Sequence, residues 1–366
     1  MMDNGKQLTI KVIGVGGGGG NALMHMHTSG VDSVELIIAN TDEQAMNNNP
    51  VEHKIVLGET GLGAGGKPEA GREAAIYSEK AIKDALVGSD MVFVTAGMGG
   101  GTGTGAAPIV AKIARDMGAL TVGVVSTPFT FEGKKRTKNA LEGLEEFEKN
   151  VDSLIIVSNN KLADILGNIP VQESFFEADK VLIQGVQTIT DIILVPSYVN
   201  LDFADVVTTM KDKGAALIGI GVGEGENKAQ DAARHAIASP LLEQDIRGAK
   251  NAIINITGGP NMTFDDANIA ISVIEDYCMN DDIDVIFGTH IDETFDDSII
   301  VTVIATGLSK EADHEVIEQS VDQELLHSSA EEAFKEEIDA MPQATEEQTQ
   351  ETQGQDLDIP MFLRNR

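Results

Sequence analysis

Hydrophobic residues along this chain gather in short, nearly unbroken runs separated by longer amphipathic stretches. "LTIKVIGV" (8–15), "VELIIAN" (34–40), "DMVFVTAG" (90–97), "LTVGVVS" (120–126) and "SLIIVS" (153–158) are largely apolar at successive positions. Such runs fit strands covered on both faces. Between them a helical period predicts helices near 68–86, 105–117 and 135–149. This alternation predicts a Rossmann-like parallel sheet with helices on both sides, where ligands bind at the carboxyl ends of the strands.

Residues 173–193, "ESFFEADKVLIQGVQTITDII", carry Val181, Leu182, Val186, Ile189 and Ile193 in one broad apolar stripe. They predict a long central helix joining two domains. The next helix, expected from about 201 to 213, has Phe203, Val206, Val207 and Met210 on one face. Asp202 and Asp205 fall together beside that face, because residues three apart are neighbours on a helix. From about 215 the runs "ALIGIGVG" (216–223), "NAIINITG" (251–258), "IDVIFGTHI" (283–291) and "SIIVTVIAT" (298–306) alternate with helical patterns near 226–237 and 264–277. The fold class expected is therefore α/β: a first domain over 1–172, a central helix over 173–193 and a smaller second α/β domain over 194–308.

Composition changes after Leu308. Residues 309–355 are rich in Glu, Asp, Gln, Ser and Thr, with Lys310 and Lys335 as the only lysines or arginines. Such a segment buries too little apolar area to offset its ordering entropy and is expected to be a disordered acidic linker. The chain then reads "DLDIPMFLRNR", apolar and basic residues at the end of a polar tether, which predicts a docking peptide over 356–366.

Charge narrows the partners. The net charge of −33 argues against nucleic acid and against direct attachment to an anionic membrane. A site for a polyanion must then be built locally, from backbone N–H groups and helix ends. No uncharged apolar run reaches the ~20 residues of a membrane span, and no signal peptide is evident. The single cysteine, Cys278, rules out an intrachain disulfide, suits a reducing cytoplasm and reads as a small core residue.

Two glycine-rich segments could hold phosphate. "GVGGGGGNA" (14–22) follows the first strand and opens a helix. Its bare backbone N–H groups and the helix N-terminus favour a phosphate. Gly14, Gly16 and Gly19 also fit the dinucleotide pattern G-x-G-x-x-G, but any glycine run produces that match. That pattern wants an acid after the second strand, where Asn40 stands, with Asp42 two residues on. "GMGGGTGTGAAP" (97–108) lies at another strand-to-helix junction, with threonine hydroxyls among its glycines. Two such junctions in one sheet suggest a shared polyphosphate. "GLGAGGKP" (61–68) imitates a P-loop but ends in Pro68 where magnesium needs Ser or Thr, so Pro68 is expected at the first turn of a helix instead.

The second loop together with "NLDFADV" resembles the FtsZ family of tubulin-like GTPases, bacterial cell-division proteins. "GVGGGGGNA", "ANTDEQA" (39–45), "GLGAG" (61–65), "GGGTGTGAAP" (99–108), "PFTFEGKKR" (128–136), "FFEAD" (175–179) and "ITGG" (256–259) follow in the family's order, and the resemblance covers roughly 8–308. It implies that Gly17, Gly18, Gly19, Gly20 and Asn21, with Gly99, Gly100, Gly101, Thr102, Gly103 and Thr104, cradle the phosphates of GTP or GDP. Glu132 and Arg136 would contact the ribose region, and Asn159 and Asn21 would lie near guanine. Phe175 would stack on the base, and Asp179 would accept from guanine N1–H and the exocyclic amine.

The resemblance further implies head-to-tail self-assembly. Asn200, Asp202 and Asp205 of one subunit would enter the nucleotide pocket of the next and position the attacking water. Mg2+ would bind through the phosphates, with no direct protein ligand. "DIPMFLRNR", including Asp358, Ile359, Pro360, Phe362, Leu363 and Arg364, looks like the family's partner-binding tail. The function implied is a cytoplasmic filament organising the division ring at midcell. Two rivals stand beside it: an NAD-dependent Rossmann oxidoreductase, which explains the first loop alone, and a tubulin-like scaffold without a division role and with weak GTPase activity. The family's Pro-Gly-Leu-Ile-Asn before the acids is "PSYVN" here, with Ser197 and Tyr198.

Overall fold

A computed structural model describes residues 8–308, apart from 32, 168, 195–201, 240, 243, 281, 293, 294 and 296. The first half runs β1 (Ile10–Val15), α1 (Gly16–Thr28), β2 (Glu35–Asn40), α2 (Glu43–Asn47), β3 (His53–Val56), α3 (Pro68–Tyr77), α4 (Glu79–Leu86), β4 (Met91–Gly97) and α5 (Thr102–Asp116). It continues through β5 (Leu120–Thr127), α6 (Lys134–Glu148), β6 (Ser153–Ser158) and α7 (Asn159–Leu166) to the long helix α8 (Val171–Leu194). Then come α9 (Phe203–Met210), β7 (Gly214–Glu224), α10 (Lys228–Ile237), β8 (Asn251–Gly258), α11 (Phe264–Cys278), β9 (Asp284–Ile291) and β10 (Ser298–Thr306).

The strands form one sheet in the order β3-β2-β1-β4-β5-β6-β7-β10-β8-β9. Strands β1 to β7 pair in parallel, and β10 runs antiparallel to both its neighbours. The order 3-2-1-4-5-6 is the doubly wound arrangement, whose crevice opens where β1 and β4 diverge in connection. Successive residues explain the unbroken apolar runs. Val12 and Phe93 face α1 and α8, whereas Ile13 and Val94 face α4, α5 and α6. A third cluster joins β7, β8 and β10 to α10 and α11, with Cys278 buried inside it.

Several expectations needed correction. The helix expected over 68–86 breaks at Ser78, whose hydroxyl accepts from Gly58 N–H at 2.9 Å and so ties the chain to the end of β3. A serine hydroxyl competing for backbone partners in this way is a common cause of such breaks. Strand β3 was not expected: it is an edge strand in which Ile55 alone is buried. Helix α2 was also missed, being five residues long and capped by Asp42, whose carboxylate accepts from Ala45 N–H at 3.0 Å. Helix α9 is shorter than expected because Lys211 turns extended, at φ −69° and ψ 127°. Pro68 does open α3. The linker 309–355 and the terminal peptide lie outside the described residues, as does Asn200.

Candidate active site

Both glycine segments are helix beginnings more than loops. Gly16 starts α1 directly after Val15, and Thr102 starts α5 directly after Gly101. Neither helix has a side-chain cap or an acid in its first turn, so their N-terminal N–H groups stay open to an anion. Side-chain bulk is excluded by mutual packing. A Cβ at Gly19 would lie 2.4 Å from the Thr95 carbonyl oxygen, and one at Gly16 would lie 2.8 Å from Gly103 N. A Cβ at Gly18 would meet Gly97 Cα at 3.0 Å. The two helix starts are therefore pressed together at the carboxyl ends of β1 and β4. Gly17 is different: nothing lies within 4 Å of its Cβ position, and it is exposed.

Gly20 and Asn21 follow on α1, where Asn49 Nδ2 donates to the Gly20 carbonyl at 2.7 Å. Across the crevice, Thr104 Oγ1 accepts from Gly99 N–H at 2.8 Å, and Thr102 Oγ1 lies 2.7 Å from Thr41 Oγ1. Both threonine hydroxyls thus shape the turn from inside. Gly99, at φ +97°, passes so close to Arg136 that a Cβ would lie 2.8 Å from that residue's carbonyl oxygen. Gly100 and Gly101 complete this turn, and Gly101 packs on Ala64 and Lys67 of the third glycine segment.

The remaining predicted residues form a second cluster that joins the first. Arg136 pairs with Glu132, whose other oxygen accepts from Phe129 N–H at 2.9 Å. Phe129 stacks on Phe131 at 5.1 Å and meets the edge of Phe175, also at 5.1 Å. Thr130 N–H is held by Asn160 Oδ1 at 2.7 Å, which fixes this turn against α7. Beside it Asn159 is buried, and its Oδ1 has no hydrogen-bond partner. Phe175 and Asp179 share one face of α8, and Asp179 Oδ2 lies 3.2 Å from His25 Nδ1 on α1. Burial raises the Asp179 carboxyl above the ordinary range, an effect that His25 partly offsets. Sequence reasoning gave no role to His25, Phe129, Phe131, Asn160 and Thr41, although Phe129 and Phe131 stand in "PFTFEGKKR" and Thr41 in "ANTDEQA".

Asp202 and Asp205 lie elsewhere. Asp202 caps α9, accepting from Ala204 N–H at 3.4 Å, while Asp205 Oδ2 accepts from Asp202 N–H at 3.3 Å. This is a capping box, and both acids are exposed. The other end of α9 is tied to the amino edge of the sheet. Ser153, the first residue of β6, donates to the Met210 carbonyl at 2.5 Å, and Thr306 donates to that of Thr209 at 2.8 Å. The glycine cradle stands at the opposite edge, a strand length of roughly 20 Å away.

Comparison with known proteins settles the family. Residues 9–167 match the Tubulin/FtsZ family GTPase domain, and residues 214–309 match the FtsZ family C-terminal domain. An empty FtsZ dimer from M. jannaschii is 40% identical, with a TM-score of 0.79 over 82% of this chain and 89% of that one. The chain belongs to the Tubulin/FtsZ family. It carries that family's GTPase domain and, in the second half, the C-terminal domain specific to FtsZ. The fold extends to solved structures of lower identity. GDP-bound CetZ1 from Haloferax volcanii is 20% identical, with a TM-score of 0.72 over 83% of this chain and 95% of its own. A GTPγS-bound CetZ2 protofilament from the same organism is 21% identical, with a TM-score of 0.69 over 86% and 99%. Among the described residues, no helix is long and apolar enough to cross a membrane.

Proposed function

We propose that this chain is a GTP-dependent, self-assembling GTPase whose subunits stack head to tail and hydrolyse GTP at each junction. The observation that carries this reading is the separation of parts: an acid-free glycine cradle at one edge of the sheet and two exposed carboxylates on a helix anchored at the other. Acids on a helix anchored at the opposite edge fit the cradle of a stacked neighbour better than their own.

The residues divide the work as follows. The open N–H groups of α1 and α5, on Gly17–Asn21 and Gly99–Thr104, hold the phosphates. Arg136, held by Glu132, adds a cation at the rim. Phe175 offers its face to the base. Asp179 accepts the two guanine donors that adenine lacks at the same positions. The unpartnered Asn159 Oδ1 offers a further acceptor, which fits a donor-bearing base. Mg2+ would ride on the phosphates and neutralise charge there. Among the described residues, no group of three or more acid, imidazole or thiol side chains gathers to hold an ion directly.

When subunits stack, Asp202 and Asp205 would orient and polarise the attacking water, with Asn200 beside them. Hydrolysis would then weaken the contact and permit turnover. Filaments of this kind would organise a division ring in the cytoplasm at midcell. The peptide with Asp358, Ile359, Pro360, Phe362, Leu363 and Arg364 would dock membrane adaptors and regulators. The NAD-dependent rival loses ground because residues 9–167 match the Tubulin/FtsZ family GTPase domain.

The test is GTPase rate per subunit against protein concentration. A junction site gives a steep onset above a threshold. Full-speed turnover in a dilute sample shown to be monomeric overturns the reading.

A further inference from the structure

Helix α5 opens in the glycine cradle at Thr102 and closes at Asp116. Its last turn carries Arg115, whose guanidinium reaches three different segments. Nε lies 3.4 Å from Asp152 Oδ1, just before β6, and Nη1 donates to the Lys149 carbonyl after α6 at 3.3 Å. Nη2 donates to Asp212 Oδ1 in the turn between α9 and β7. A rigid fork of N–H donors can serve three acceptors in this way, and the single ammonium of a lysine cannot match its geometry.

Asp152 is the buried centre of the arrangement. Its other carboxylate oxygen accepts from Thr121 N–H at 2.8 Å. Its carbonyl accepts from Lys213 and Gly214 N–H at 2.8 and 3.0 Å. The turn that ends α9 therefore rests on Asp152 through its backbone, and Arg115 spans from the buried carboxylate to the same turn. Asp212 stands there at φ +55°, a left-handed conformation uncommon outside glycine, with its side chain tied to Arg115. Ser153 and Thr306 hold the Met210 and Thr209 carbonyls alongside. This end of α9 is thus its base, and Asp202 and Asp205 stand at its tip.

We propose that Arg115 is a positioning residue for the acids that α9 presents to a stacked neighbour. It locks the α9–β7 turn onto Asp152 and so fixes the direction in which the helix points. The proposal rests on the junction reading above and adds that the aim of Asp202 and Asp205 is set from the far end of α5. The lever is short and stiff. Eight residues of helix span about 12 Å, so a tilt of about 5° at the base moves the tip by about 1 Å. A displacement of that size, caused far from the chemistry, can cost about 100-fold in rate. Arg115 and Asp212 are both partly in solvent, where ion pairs add little to stability, so losing Arg115 alters aim more than folding.

The experiment uses the full chain with Arg115→Gln, measuring phosphate release per sedimented subunit at saturating GTP. Unfolding midpoint, GTP affinity in dilute solution and sedimented mass are expected to match the parent, while turnover falls by about fivefold or more. Asp212→Asn tolerates the left-handed turn and leaves Arg115 on Asp152, so turnover falls in the same direction by less. Lys112→Gln removes an exposed pair with Asp116 on the same helix and turns over as the parent does. Because α5 also opens in the cradle, an equimolar copolymer of Arg115→Gln with Asp205→Asn assigns the defect to one side of the junction. If Arg115 acts through α9, no junction regains sound acids, and the mixture turns over at the mean of the two pure polymers. Turnover above that mean places the defect in the cradle of the Arg115→Gln subunit and overturns the proposal. Parental turnover in Arg115→Gln, with Asp205→Asn slow, overturns it too and leaves the junction reading standing. If Arg115→Gln unfolds early, Asp212→Asn decides, and parental turnover there is the overturning result. Parental turnover in Asp205→Asn overturns the junction reading, and the proposal falls with it.

Discussion

His25 Nδ1 stands 3.2 Å from Asp179 Oδ2, joining α1, which opens with the glycine cradle, to α8, which carries Phe175 and Asp179. The nitrogen is buried, and its nearness to the carboxylate partly offsets the effect of burial on Asp179.

The first prediction follows from that pair. Burial raises the Asp179 carboxyl above the ordinary range. Guanine donors need the ionised form, so nucleotide affinity weakens as pH falls through the raised value, at a higher pH than an ordinary aspartate would give. Asp179→Asn, which replaces one acceptor by a donor, should cost about 10- to 100-fold in GTP affinity, the range for a lost charge-assisted hydrogen bond. It should also flatten the acid limb. Equilibrium binding of a fluorescent guanine nucleotide between pH 4 and pH 8 checks both. An unchanged acid limb in the variant would remove Asp179 from base recognition.

Two glycines at the starts of α1 and α5 should separate by role. Gly17→Ala places its Cβ in open space and should leave folding stability unchanged while weakening phosphate binding. Gly105→Ala forces a Cβ to within 1.8 Å of the Pro68 carbonyl oxygen. Overpacking against backbone of this kind should cost about 3 kcal/mol. Urea unfolding of both variants, followed by nucleotide titration of Gly17→Ala, distinguishes the two. A stability loss in Gly17→Ala equal to that in Gly105→Ala would make Gly17 a packing residue and not a ligand-facing one.

Much of this arrangement was legible in the residues themselves. Strands buried on both faces announce themselves as apolar runs, so β1, β2, β4, β5 and β6 were found to within two residues. Edge strand β3 was not, because one buried isoleucine makes no pattern. The cradle was visible because glycine is needed where backbones meet, as Gly16 and Gly103 do. The partners of the predicted residues were not visible. His25 meets Asp179, and Thr41 meets Thr102, across long stretches of sequence, and nothing local requires either contact. The break at Ser78 was likewise hidden, since its cause is a hydrogen bond to Gly58 on a separate segment.

Asp191 gives a pH signature in stability. Burial in α8 lifts its carboxyl from 3.8 to about 6. A raised folded value favours the neutral acid, so its contribution to stability is fully present below about 3.8 and is lost as pH rises through about 6. Asp191→Asn is neutral throughout. The stability difference between variant and parent should therefore shift in favour of the variant, by up to about 3 kcal/mol, on going from pH 4 to pH 7. Denaturation curves at the two pH values measure it. Parallel pH dependences would show that the carboxylate keeps its charge at no cost.

Asp202 and Asp205 have two possible roles, and substitution can tell them apart. They form the capping box of α9, so alanine at Asp202 should cost about 1 kcal/mol of stability whatever the acids do in an assembly. Loss of activity in an alanine variant is then ambiguous, because a frayed α9 displaces everything at its start. Asn caps a helix about as well as Asp but carries no charge and makes a poor base. Asp202→Asn and Asp205→Asn should accordingly keep parental stability and bind GTP normally in dilute solution. They should still sediment as polymers with GTP, while turnover in the assembled state falls at least tenfold. Mixing Asp205→Asn with the parent adds a sharper readout. If each junction draws its acids from one subunit and its nucleotide from the next, turnover should decline with the fraction of acid-deficient junctions, even though every subunit binds GTP. Normal turnover in both asparagine variants would reduce the two carboxylates to helix caps and leave the water-activating group to be sought elsewhere.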